Sequence, residues 1–134
     1  METKFAKLAD ATELAKIDLI AHSELKWWNP NSRSDFISII KNKKQVYITA
    51  KEKGKIIGYL SLRKDKDSRW LWLEDIYVLK EWRNKGIAKT LIKEALKYKN
   101  RKTPKRKMVL LTADRNLNIF KKLGFKKTMN FMES

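Results

Sequence analysis

The chain has 134 residues, 43% of them hydrophobic, with no cysteine, a single histidine and a formal net charge of +17. That length suffices for one domain with its own core and is short for two; without cysteine there are no disulfides, thiolate metal sites or cysteine nucleophile, and His22 alone builds no metal centre. No apolar run approaches the roughly 18 residues of a membrane span and METKFAKLADATEL lacks a secretory core, so a cytoplasmic protein without membrane contact is expected.

In chain order, Thr3 to Ala9 alternate apolar and polar residues as an edge strand does, and Asp10 is expected to cap a helix from Ala11 to about His22. KWWNPN is a turn-rich piece with two tryptophans, and a second helix is expected from Ser32 or Ser34 to Ile40. Gln45–Glu52 and Ile56–Arg63 read as strands joined by a turn at Lys53, Gly54 and Lys55; the polar KDKDS then leads into a strand over Arg69–Val78. An amphipathic helix beginning near Gly86 carries Ile87, Leu91, Ala95 and Tyr98 on one stripe and Lys85, Lys89, Lys93 and Lys97 on another. Met108–Thr112 has the continuous apolar character of a buried parallel strand. A short helix from Asp114 or Arg115 to Leu123, stopped by Gly124, precedes a last strand over Phe125–Met132. The pattern predicts a single α+β domain over residues 1–134: a mixed, mostly antiparallel sheet of about six strands with helices on both faces.

The junction between the Arg69–Val78 strand and the Gly86 helix carries the chemistry. The first N–H groups of a helix lack intrahelical partners and lie at the positive end of its dipole, so Arg83, Asn84, Lys85, Gly86, Ile87, Ala88 and Lys89 offer donors and charge to a phosphate group. The spacing in RNKGIA resembles the (Q/R)xxGx(G/A) signature of the GNAT superfamily of acetyl-coenzyme A-dependent N-acyltransferases. The upstream LEDIYV is similar to the diamine and thialysine N-acetyltransferase branch, and the downstream FKKLGF to the family's YxKLGF ending. Together these motifs cover roughly Trp70 to Lys127.

The resemblance implies a GNAT fold, acetyl-CoA as co-substrate with no metal, and a primary amine as acceptor: a small amine, a lysine-like side chain or a peptide amine. It implies that Ile76, Tyr77 and Val78 hold the pantetheine arm through their backbone, that Glu74 deprotonates the amine, and that Asp75 gives a second cation contact. Glu74 and Asp75 are adjacent in a strand, so their side chains point to opposite faces unless a bulge intervenes. Trp27 and Trp28 belong near the acceptor by resemblance, or equally pack the first helices. Two departures stand out: Phe120 takes the place of a tyrosine that serves relatives as a general acid, and Ala113 replaces an asparagine that touches the coenzyme, leaving Asn116 or Asn118 as substitutes.

The charge is concentrated. Residues 80–127 hold 17 basic and three acidic side chains, and the densest run, Lys97 to Lys107, lies about 20 Å along the helix from the glycine loop. That run reads either as a solvated surface or as a contact for an acidic protein or nucleic acid. The alternative function is thus a basic binding module on the same fold with little or no catalysis, whether monomer or homodimer.

Overall fold

The computed structural model describes residues 1–26, 29–111 and 117–127. Five strands form one sheet in the order β1 (Glu2–Phe5), β2 (Val46–Glu52), β3 (Lys55–Lys64), β4 (Trp70–Val78) and β5 (Lys107–Val109). The first four are antiparallel neighbours; β5 runs parallel to β4, as a strand returning through a crossover helix must. Helices α1 (Ala11–Leu25) and α2 (Arg33–Lys41) cover one face, and α3 (Ile87–Lys102) covers the other; α4 spans Leu117–Lys122.

Each face has its own apolar cluster. Ala11, Leu14, Ile17 and Ala21 recur at three- and four-residue steps along α1, and with Phe36 of α2 they pack on Tyr47, Ile56, Tyr59 and Tyr77. On the other side Ile87, Leu91, Ile92 and Ala95 of α3 pack on Ile48, Leu60, Leu62, Leu71, Leu73 and Val78. Gly58 lets β3 and β4 come together opposite Val78, where a Cβ would lie 2.9 Å from the Tyr77 carbonyl oxygen.

Local signals set several boundaries. Ser32 caps α2: its Oγ accepts from Asp35 N (3.2 Å) while Asp35 Oδ2 accepts from Ser32 N (2.8 Å), a capping box. Asp10 stands at the start of α1 as expected, but its carboxylate makes no capping bond there. It accepts instead from Lys7 N and Lys51 Nζ, both at 2.8 Å, because a short 3-10 turn at Leu8–Asp10 precedes the helix and a long-range cation competes for the charge. Burial works to raise the Asp10 pKa, yet these two partners outweigh it and hold the carboxyl below its usual range.

Three expectations need revision. The first strand ends at Phe5 rather than Ala9, since the chain turns into the 3-10 segment. The apolar run after Lys107 pairs only as far as Val109, and Leu111 is 68% exposed, so this is not a buried strand throughout. Phe125–Lys127 are not in a strand, and the remainder of the expected last strand falls outside the described residues, as do residues 112–116 ahead of α4.

Candidate active site

A bulge decides the geometry of the two carboxylates. Ser61 pairs with Asp75 and Leu62 with Leu73, so Glu74 is an extra residue in β4 with no opposite number. Leu71 and Leu73 face α3, and after the bulge so do Ile76 and Val78. Glu74 and Asp75 therefore both turn to the α1–α2 side, where an unbroken strand would have separated them.

Their surroundings differ. Arg63 Nε donates to Glu74 Oε1 in an ion pair, and Gln45 Nε2 approaches Oε2 at 3.5 Å, so both Glu74 oxygens are engaged. Asp75 has only Ser61 Oγ, 3.3 Å from Oδ2. Its buried Oδ1 lacks a hydrogen-bond partner among the described residues, as does the buried Oε1 of Gln45. Burial first, and then the charge of Glu74, push the Asp75 pKa up to about 6; the Ser61 bond pulls the other way without cancelling them. An acid with one oxygen unpartnered among the described residues and a pKa of about 6 lies beside one whose two oxygens both face donors.

Three tyrosines extend this face toward α1. The rings of Tyr47 and Tyr59 lie 5.8 Å apart, and those of Tyr59 and Tyr77 6.3 Å. Tyr59 Oη donates to Asp18 Oδ1 (2.7 Å), whose other oxygen accepts from Asn31 N (2.7 Å), tying α1 to the sheet and to the approach of α2. Tyr77 Oη donates to Glu24 (2.9 Å), and burial with this acceptor pushes its pKa up to about 12. Both hydroxyls stay protonated at neutral pH.

Beyond Trp72, β4 loses its neighbour. The β4–β5 ladder comprises only Trp70, Leu71 and Trp72 against Lys107, Met108 and Val109, so among the described residues Leu73–Val78 have no strand on that edge. Among the described residues a slot is thus left along Ile76, Tyr77 and Val78 toward the loop before α3. In that loop Asn84 and Gly86 have φ of 63° and 79°. No side chain caps α3, and Thr90 N is the first helical donor satisfied from within, by Gly86 O at 3.0 Å. The N–H groups of Ile87, Ala88 and Lys89 are therefore left for another acceptor. Nothing lies within 4 Å of where a Cβ on Gly86 would be, so the cradle is open.

Arg83 is placed differently from its loop neighbours. Its Nε donates to Val78 O (2.9 Å), its guanidinium meets both Glu24 oxygens (2.8 and 2.6 Å), and it lies 5.3 Å from the Tyr77 ring centre. The side chain fastens the end of β4 to α1 and leaves the loop's backbone to the ligand. Lys85 rests on the Trp82 ring at 5.0 Å. Phe120 is buried, edge-on to Phe125 at 5.6 Å. Asn118 is exposed, while Asn116, Trp27 and Trp28 fall outside the described residues. Sequence reasoning missed Gln45, Ser61 and Arg63; the alternation of Ser61 and Arg63 with Leu60 and Leu62 in β3 is the trace two of them leave, and Gln45 stands just before β2.

The sequence profile of the Acetyltransferase (GNAT) family matches residues 11–125. This chain belongs to that family. A comparison with curated proteins finds no match. Among solved structures, a probable acetyltransferase is similar over 100% of this chain and 96% of its own, with a TM-score of 0.83 and 20% identity. The ribosomal-protein-alanine N-acetyltransferase of Brucella melitensis biovar Abortus 2308 gives 0.73 at 20% identity over 100% and 99%. A predicted acetyltransferase from Clostridium acetobutylicum, solved with acetyl-CoA, gives 0.74 at 20% identity over 99% and 94%. At such identities the likeness concerns the GNAT fold alone. The uncapped start of α3, the open space at Gly86 and the edge of β4 that is unpaired among the described residues together fit acetyl-CoA, with donors for a pyrophosphate at one end and strand backbone for an amide-bearing arm along the slot.

Proposed function

We propose that this GNAT protein transfers an acetyl group from acetyl-CoA to a primary amine that arrives as a cation, with Asp75 as the base. The observation that carries the reading is the pair of carboxylates on one face of the β4 bulge, one held by Arg63 and Gln45 and one with an oxygen that lacks a partner among the described residues. Acetyl-CoA supplies a thioester, an acyl donor that a neutral amine attacks. Ile87, Ala88 and Lys89 N–H, with Asn84, Lys85 and Gly86 shaping the loop, hold its phosphates; the unpaired backbone of Ile76, Tyr77 and Val78 lines the arm.

The roles of the two acids are exchanged relative to those implied by resemblance. Glu74, committed to Arg63, adds a second carboxylate to the face that receives the ammonium. Asp75 Oδ1, without a donor of its own among the described residues, takes the proton, and a pKa of about 6 suits a base that works near neutral pH. Ser61 Oγ holds the other oxygen and fixes the carboxyl plane. Phe120 has no proton to give, so the departing thiolate is protonated from solvent; with an ordinary thiol pKa of about 8.5, that anion is a tolerable leaving group.

The acceptor class follows from the acids and from the LEDIYV resemblance: a diamine, a polyamine or a lysine-like amine, with peptide amines as the competing class. An acetylation screen over polyamines, free amino acids and peptide N-termini, read by thiol release, tests this. Turnover is expected with diamines or lysine-like compounds. Absence of turnover with every amine, together with no heat of binding for acetyl-CoA, defeats the proposal.

A further inference from the structure

We propose that the outer side of α3 and the turn after it dock the phosphate backbone of nucleic acid, away from the acetyl-transfer slot. The burial of Ile87, Leu91, Ile92 and Ala95 turns Lys89, Lys93, Lys97 and Asn100 outward. Arg101 and Lys102 continue the exposed cations to the helix end, and Lys105 and Lys107 carry them past it. Glu94 is the only acid between Ile87 and Met108, and its bond to Lys97 (3.3 Å) leaves that lysine side chain 73% exposed. An exposed pair of this kind neutralises little.

The chemistry of the patch selects the partner. The large exposed apolar side chains of the described residues lie elsewhere, on β1, on the 3-10 turn, on α1, after β5 and on α4. A protein partner calls for an apolar or aromatic centre from which lysine is depleted, whereas nucleic-acid contacts are polar and strongly positive. Tyr98, the one aromatic of α3, is half-buried and turned to Phe5 at 5.7 Å, so no base-stacking platform exists there. Contact is therefore with phosphates and independent of sequence. The 16 residues of α3 extend about 24 Å, the axial span of about seven phosphates along one strand of a duplex. Lys97 and the cations beyond it occupy the half of that length remote from Gly86.

Arg106 is not part of the surface. Its guanidinium donates to the carbonyls of Asp65, Ser68 and Trp70 at 3.3, 3.4 and 3.0 Å, closing the β3–β4 turn.

The experiment is fluorescence anisotropy of the full chain with short duplex and single-stranded nucleic acids of unrelated sequence, between about 50 and 200 mM salt. Binding is expected for every sequence, with log affinity falling linearly in log salt at a slope of about −4 for four or five neutralised phosphates. The combined variant Lys93→Gln, Lys97→Gln, Lys105→Gln should flatten the duplex slope by about 2 to 3 while acetyl-CoA affinity stays as in the parent. No salt-dependent binding, equal affinity for polyglutamate, or an unchanged slope in the variant each overturns the proposal. Because the measurement is made without acetyl-CoA or amine, its failure and that of the acetyltransferase reading are separable.

Discussion

Asp75→Asn retains the shape of the side chain and an acceptor for Ser61 Oγ, and removes one titration. The folded state holds the Asp75 proton up to a pH of about 6, against an ordinary value of 3.8. At about 1.4 kcal/mol per unit the ceiling on the linked free energy is roughly 3 kcal/mol; the site is not sealed from solvent, so about 1 to 2 kcal/mol is the working figure. The sign follows from proton binding. Between pH 3.8 and about 6 the native state carries a proton that the unfolded chain has released, so this contribution is full at low pH and lost as pH rises through about 6. Relative to the parent, Asp75→Asn should therefore become more stable with rising pH, by about 1 to 2 kcal/mol across that window, and stay level above it. Urea unfolding of both proteins over the window measures the difference. In the same pair, kcat/KM of the parent should show an acid limb near pH 6, and the variant should fall by about 10² to 10⁴ and lose the limb. Glu74→Gln should cost less and keep it. A stability difference that does not vary with pH, or an Asp75→Asn enzyme within a few-fold of the parent, refutes the assignment of Asp75 as the base.

Gly86→Val forces a β-branched residue to φ 79° and fills the cradle, so acetyl-CoA affinity by calorimetry should fall at least about tenfold, with a folding cost of about 1 to 3 kcal/mol. Arg106→Ala leaves the Asp65 and Ser68 carbonyls of the β3–β4 turn without their donor and takes one of two donors from Trp70 O, and urea unfolding should register a loss of about 1 to 3 kcal/mol with little change in Kd for acetyl-CoA. Phe120→Tyr adds a phenol at the position where relatives are implied by resemblance to carry their general acid; kcat for thiol release should rise, by up to about 100-fold, with KM for acetyl-CoA unchanged, and an unaltered kcat removes leaving-group protonation from the slow step.

The α3 start was legible because its signals are local: a glycine after a basic loop, and apolar residues at helical spacing. The strands of the central sheet were legible for the same reason. The bulge was not, since nothing within LEDIYV says which residue is extra; that depends on where β3 pairs, and Ser61 is 14 positions away. Hence both carboxylates were found, yet the partners that divide their labour, Arg63, Gln45 and Ser61, were invisible. Asp10 shows the same limit in miniature: its position at a helix start is a local fact, while its capture by Lys51 is a tertiary one. Arg106 hides within a run of like charges, where composition cannot single out the residue that the fold uses. Trp27, Trp28 and Asn116 lie outside the described residues.

The three-pair ladder between β4 and β5 makes chain length critical in one short stretch. Thr103 N is anchored to Lys99 O and Lys107 N to Arg69 O, so the residues between have no slack to absorb a change. One inserted residue would slide β5 by a position, turning Met108 out of the core and carrying Arg106 off its carbonyls, and three pairs are too few to resist. The lysines here are open to exchange; their number of steps along the chain is not.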